Sequence, residues 1–169
     1  LPNDTKKQYY HHQGNIFGTY YNIRYEGSRD LHDDIKQRLV EFDNSLSMFN
    51  PHSVISQINR NDSLPTDSLF EAMYAEAHAI SELSGGAFDI TVAPLVNAWG
   101  FGRKTQGARA KNVNVDSIKT FVGYHKVRLQ EHHIQKDDER ITLDASAIAK
   151  GYACDVVADL LRENGCDNL

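Results

Sequence analysis

Apolar residues recur along this chain at two spacings, and the changes between them mark out its elements. Ile16, Tyr20, Ile23 and Tyr25 alternate enough between Gly14 and Gly27 to predict a strand over residues 14–26. From Asp30 to Met48 the apolar positions are 31, 35, 39, 42 and 46, a helical stripe on a charged scaffold. Pro51 ends that segment, and Ser53 to Asn59 reads as a short helix. A second long helix is expected over Asp67–Ser84, capped by Asp67, with Leu69, Met73, Ile80 and Leu83 turned inward and Gly85-Gly86 as its stop. Pro94 is placed to open a short helix within the apolar run 87–102. Residues 103–112 lack periodicity and predict an exposed loop, and 116–122 one or two helical turns. Lys126–Gln130 and Arg140–Asp144 read as the strands of a hairpin, with a third short strand at His132–Gln135. Ile148, Tyr152, Val156 and Leu160 set the stripe of a last helix over Ser146–Asn164, with Ser146 as N-cap and Gly165 as its stop.

Composition narrows the class without naming a task. A chain of 169 residues is long enough for one domain with its own core, burying roughly 70% of the unfolded surface. It is 40% hydrophobic and 24% charged, with a net charge of −5, which argues against a nucleic-acid-binding surface. No apolar run approaches the roughly 20 residues that span a bilayer. Residues 1–13 are polar, carry the pair His11-His12, and are expected to be a flexible lead-in. Cys154 falls within the last helix and Cys166 just past it; at about 1.5 Å rise per residue their Cα atoms lie well beyond the roughly 7 Å that a disulfide permits. Two separate thiols are expected. The eight histidines form no H-x-x-x-H or H-E-x-x-H pair, there is no C-x-x-C, and neither dinucleotide nor P-loop glycine signature is present.

The chemistry concentrates at Asp144-Ala-Ser-Ala-Ile-Ala-Lys150-Gly151-Tyr152. A strand ending in a carboxylate hands over to a helix whose first turn carries a lysine. Helix N-termini present unpaired N–H groups and partial positive charge, which suit an anion. An aspartate beside a bound phosphate repels it unless a cation lies between, so the constellation suggests a metal-bridged phosphate or diphosphate. A capped surface helix with a solvated lysine is the other reading of the same residues.

This segment resembles the D-L-x-x-I-A-K-G-Y-A-x-D signature of the ApbE family, FAD:protein FMN transferases formerly called thiamine biosynthesis lipoproteins. Three more segments resemble the family in the same order: Gly14-Asn-Ile-Phe-Gly18-Thr-Tyr20, the stretch from Leu46-Ser-Met-Phe49 through Ser53 to Asn59, and the block from Gly85-Gly-Ala87-Phe-Asp89 through Pro94 and Trp99 to Gly102. The resemblance spans roughly residues 14 to 165. It implies an α+β fold with a mixed or antiparallel sheet packed by several helices, and it covers the N-terminal half of a family member. The absent half would bring an H-x-[IL]-D-P-x-T-G-like segment with an aspartate and a threonine for the metal, so this chain is expected to be inactive alone.

By that resemblance Phe17, Phe49, Ala87, Phe88, Asp89, Asp144 and Lys150 bind the cofactor, and the carbonyl of Ala147 ligates Mg²⁺. Phe49 stands at the flavin-stacking position; Phe17 stands where the family often has Met, and core packing is its alternative role. Gly85 and Gly86 let the backbone come close to a ligand, though they would also simply end a helix. Trp99 is read as a core anchor. The implied reaction moves FMN from FAD onto a threonine of a client flavoprotein, releasing AMP. Hydrolysis of FAD to FMN and AMP, or non-catalytic flavin carriage, are the alternatives. Family members are commonly exported lipoproteins on the periplasmic face of the inner membrane; no anchoring cysteine or signal peptide is visible in these residues, so any membrane tether is implied by resemblance alone.

Overall fold

A computed structural model describes residues 7–101, 113–166 and 168–169. The expected exposed loop at 103–112 lies outside the described residues. The chain opens with a β-hairpin, β1 (Gln8–Ile16) and β2 (Thr19–Gly27), paired antiparallel from Gln8↔Gly27 to Ile16↔Thr19. Two expectations are corrected here. The lead-in gives its residues 8–13 to β1, and the single strand over 14–26 is the end of β1, a turn and β2. β1 escapes an apolar-pattern reading because its inward positions are Tyr10, His12 and Gly14, which count as polar or neutral. Tyr10 nevertheless stacks on the fully buried Tyr25, with ring centroids 5.3 Å apart.

The hairpin closes through Phe17 and Gly18, both at positive φ (53° and 68°), as a two-residue turn compatible with right-twisted strands requires. Glycine takes that conformation without penalty. For Phe17 it costs on the order of 1–2 kcal/mol, offset by packing its ring 5.2 Å from that of Phe42.

Helices follow: α1 (His32–Leu46), α2 (Val54–Asn59), α3 (Ser68–Leu83), α4 (Ala93–Ala98) and α5 (Val115–Lys119). Asp67 caps α3 by accepting from Phe70 N at 2.8 Å and is itself held by Ser45 Oγ at 2.7 Å, an arrangement worth about 1 kcal/mol. Leu69 and Met73 turn inward, Ile80 is half-buried, and Leu83 is 89% exposed. Leu83 sits in the last turn of α3, past the face that Met73, Ala77 and Ser81 bury.

β3 (Val127–Gln130) and β4 (His133–Lys136) form a second antiparallel hairpin. Arg140–Asp144, expected as a strand, is irregular: Arg140 lies in a turn and residues 141–144 belong to no strand. Its backbone pairs with side chains and loop carbonyls instead: Ile141 N donates to Asp138 O at 3.1 Å and Asp144 N to Ile90 O at 2.7 Å. Asn59 donates to Leu143 O at 2.8 Å and accepts from Leu143 N at 2.7 Å, and Lys136 Nζ donates to Ile141 O at 3.0 Å. Ile141 and Leu143 are wholly buried, which is why the segment carries a strand-like sequence.

The last helix, α6 (Ser146–Glu163), ends in a Schellman turn: Gly165 N donates to Arg162 O at 2.9 Å and Cys166 N to Leu161 O at 3.0 Å, with Gly165 at φ 75°. Cys154 and Cys166 are separate thiols, the first exposed and the second buried. Ala153, Val156, Val157 and Leu161 are the buried face of α6, while Ile148, Tyr152 and Leu160 flank it half-buried. Two cores result. One packs the C-terminal half of α1 with α2, α3, the Ile141–Ala145 segment and the first half of α6. The other packs the hairpin against the start of α1 and the end of α6. Phe17 touches both. The α+β class with small antiparallel sheets agrees with expectation.

Candidate functional site

The start of α6 is held in place from two sides. Asn59 clamps Leu143, and one residue later Asp144 N donates to Ile90 O at 2.7 Å. That bond seats Asp144 beside the Ala87–Asp89 segment, so two stretches more than fifty residues apart in sequence meet here. The N-cap position is Ala145, not Ser146. Asp144 performs the capping from one position earlier, its Oδ1 accepting from Ser146 N at 2.8 Å. Its other oxygen has no partner among the described residues.

One turn in, Lys150 is exposed and lines a groove of about 450 Å³ between β2 and α6. Phe17, at the hairpin tip, lines the same groove. Ala147 sits in the first turn of α6, and a side chain at Gly151, four residues on, would meet nothing within 4 Å. The helix surface at Gly151, one turn on from Ala147, is therefore unobstructed. Among the described residues there is no cluster of three or more His, Cys, Asp and Glu side chains suited to a metal. A cation at this place would draw on one carboxylate, one carbonyl and further oxygens. That mixed oxygen set fits a hard ion such as Mg²⁺ and would not suit a softer one.

Phe49 projects from the turn after α1 and is 62% exposed. The turn is built to present it: Phe49 N donates to Ser47 Oγ at 3.2 Å, and Ser53 Oγ donates to Ser47 O at 2.7 Å, with both serines buried. The ring lies over Gly18 so closely that a side chain there would touch its Cζ at 3.3 Å. Phe17 and Phe49 thus bracket the hairpin turn, Phe17 half-buried and Phe49 outward.

Gly85 and Gly86 adopt φ values of 60° and 82°, so they terminate α3 in a conformation other residues resist. Ala87 is exposed and Phe88 half-buried against the first core. Asp89 is turned to its own chain: Oδ1 accepts from Thr91 N at 2.7 Å and Thr91 Oγ1 at 2.6 Å, and Oδ2 from Tyr124 N at 2.9 Å. Trp99 is 47% exposed and so is not the core anchor expected from its size. Sequence reasoning missed Asn59, Thr91 and Tyr124, which hold the candidate site residues in place; Asn59 closes the stretch from Ser53, yet its long-range partner carries no local signal.

The family model described as the ApbE family matches residues 17–169. The FAD:protein FMN transferase of Vibrio cholerae serotype O1 is 31% identical over 170 residues, covering 94% of this chain and 50% of that protein. That of Escherichia coli K12 is 31% identical over 166 residues, covering 90% and 47%. Among solved structures, the flavin transferase ApbE from Vibrio cholerae superposes with a TM-score of 0.82 at 29% identity, covering 96% of this chain and 56% of that one. The apo flavinyl transferase ApbE of Pseudomonas stutzeri gives 0.84 at 27% identity, with 95% and 54% covered. The chain spans about half the length of the curated relatives it matches.

Proposed function

This chain belongs to the ApbE family, and on that premise we propose that it supplies the N-terminal half of an FAD:protein FMN transferase. The observation that carries the reading is the Asp144 N to Ile90 O bond. It sets a carboxylate and the start of α6 beside the glycine-hinged Gly85–Asp89 segment, with Lys150 about one turn further along the helix. A dinucleotide needs that combination: charge and N–H donors for its diphosphate, exposed ring and backbone for its flat end.

In this reading Phe49 covers the flavin ring, with Phe17 completing the wall at the hairpin tip. The backbone of Ala87 and Phe88 meets the ring edge, and Asp89 keeps that backbone in shape. Lys150 and the first N–H groups of α6 hold the diphosphate. Asp144 and the Ala147 carbonyl, together with oxygens from the remaining half, would hold Mg²⁺, which would supply charge neutralisation at the phosphate oxygens. A threonine hydroxyl of the client protein attacks the FMN phosphorus. The new bond is Thr Oγ–P, the bridging P–O bond breaks, and AMP departs with the bridging oxygen. Orientation supplies much of the acceleration, since the nucleophile needs an in-line approach to a fixed phosphorus. The proposal extends to an exported, periplasm-facing location, which rests on the resemblance.

The test is incubation of the longer protein with FAD, Mg²⁺ and a client domain. A covalently flavinylated client supports the transferase. Free FMN and AMP without client mean hydrolysis, and intact bound FAD means a carrier; either result overturns the reading. Thorough chelation with EDTA is expected to abolish transfer, and undiminished transfer after it would remove the metal from the scheme.

A further inference from the structure

We propose that Tyr124 is a positioning residue that clamps the Gly85–Phe88 turn into its flavin-binding shape, an inference that deepens the reading above and rests on it. By itself the turn is tied only to the helix it leaves. Gly86 N donates to Ser81 O at 2.8 Å, Ala87 N to Ser84 O at 3.2 Å and Phe88 N to Ser84 Oγ at 3.0 Å. Two successive positive-φ glycines have many alternative conformations, so bonds on one side alone leave the turn free to re-form.

Tyr124 supplies the other side, and it does so at three points. Its backbone N–H donates to Asp89 Oδ2 at 2.9 Å, fixing the exit of the turn. Its ring lies against the middle, where a side chain at Gly86 would meet Cε1 at 3.4 Å. Its phenol is held above its ordinary pKa, chiefly by hydrogen bonding to Glu82 before the entry and then by burial. The ring also stands edge-on to His78 with centroids 5.7 Å apart. Tyr124 is in turn locked from behind. Gly123 N donates to Thr91 Oγ1 at 2.7 Å, and that wholly buried hydroxyl donates to Asp89 Oδ1. The crevice between Tyr124, His78 and Thr91 measures only about 10 Å³, so the ring has no room to swing inward. A turn held on both sides is ordered before a ligand arrives, and pre-ordering appears as affinity. Tyr124 acts through the turn and does not touch the flavin itself.

The test uses the longer protein and reads FAD dissociation by calorimetry, kcat for FMN transfer, and Tm. Tyr124→Ala is expected to weaken FAD binding roughly tenfold, about one factor of ten in Kd, with a smaller change in kcat. Tyr124→Phe keeps the ring against Gly86 and is expected to restore most of the affinity. Tyr74→Phe is the control: it removes the buried Tyr74 Oη to Val127 O bond of 2.9 Å, lowers Tm, and leaves FAD affinity unchanged. If Tyr124→Ala does not fold, Glu82→Ala decides, because Glu82 is exposed and its loss removes only the phenol anchor; it is expected to weaken FAD about twofold to threefold. Unchanged affinity in Tyr124→Ala or Glu82→Ala, a Phe variant no better than Ala, or an equal affinity loss in Tyr74→Phe each overturns the clamp. A wild-type protein that does not bind FAD ends the underlying reading, and the wild-type titration reports that separately.

Discussion

Asp144 has two duties that substitution can separate. One oxygen caps Ser146 N and the other has no partner among the described residues. Asparagine caps a helix about as well as aspartate but carries no charge for a cation. Asp144→Asn is therefore expected to leave Tm nearly unchanged while cutting transfer on the order of a hundredfold in the longer protein, the scale of a displaced reacting group. Asp144→Ala should lose the same activity and about 1 kcal/mol of stability besides. Thermal melts beside transfer assays separate the two, and an active Asn variant would make the aspartate purely a cap. Lys150 is exposed, so Lys150→Ala should alter stability by less than about 0.5 kcal/mol while raising KM for FAD; unaltered kinetics would return it to solvent. Gly151 poses the reverse case. It sits inside a helix with open space around it, where alanine should stabilise by about 0.5–1 kcal/mol. Gly151→Ala is expected to melt higher yet need more Mg²⁺ for half-maximal transfer. Unaltered Mg²⁺ dependence would show that the bare helix surface beside Ala147 has no part in the site.

Between elements, one side chain stands in for a missing strand. Asn59, the last residue of α2, exchanges two hydrogen bonds with Leu143, whose side chain is wholly buried. Asn59→Ala strands a backbone donor and an acceptor, at about 1–3 kcal/mol each. A loss of roughly 2–4 kcal/mol is expected by urea titration, and a loss below about 0.5 kcal/mol would mean water replaces the amide without cost. The same segment shows where sequence reading runs out. The helices could be read because Ile35, Leu39, Phe42 and Leu46 recur at helical spacing, and Asp67 and Gly165 are caps with local signatures. Arg140–Asp144 looked like a strand because burial on all sides selects β-branched and apolar residues whether the backbone partner is a strand or an amide. β1 went unseen because its inward face is Tyr10 and His12, half-buried and polar in name. For the candidate site, Phe49, Asp144 and Lys150 stand out in the sequence only through the resemblance. The bonds from Asn59 to Leu143 and from Tyr124 to Asp89 were not legible there, since pairings across 84 and 35 residues leave no periodic trace.

Across the whole molecule, α1 and α6 contribute to both cores, and surface ion pairs tie the loops around them. Asp138 holds Arg140 through Nε at 2.9 Å and Nη2 at 2.7 Å, while the Arg140 guanidinium lies 4.5 Å from the centre of the Phe121 ring. The Arg140 side chain, followed by its backbone N–H, pulls the Asp138 carboxyl from 3.8 down to about 2. Asp30, accepting from His32 N and paired with His12, is also held below its ordinary value, chiefly by that backbone bond. A carboxyl whose pKa is lower in the folded state stabilises the fold above its unfolded value and stops doing so as pH falls through the folded one. The contribution from Asp138 is therefore complete above pH 3.8 and lost by about 2. Lys136 works in the opposite direction: burial lowers its pKa, so its cost to folding shrinks as pH rises past that lowered value. The urea midpoint is accordingly expected to fall as pH drops from 3.8 toward 2, with no matching loss on the alkaline side from these groups. Because Asp138 is exposed to solvent screening, its share is tested by comparison: Asp138→Asn should have a shallower acid limb than the parent. Two superimposable acid limbs would assign the loss to the other carboxyls held low, Asp30, Glu41, Glu71 and Asp137 among them, and would leave the Arg140 bridge without a part in acid stability.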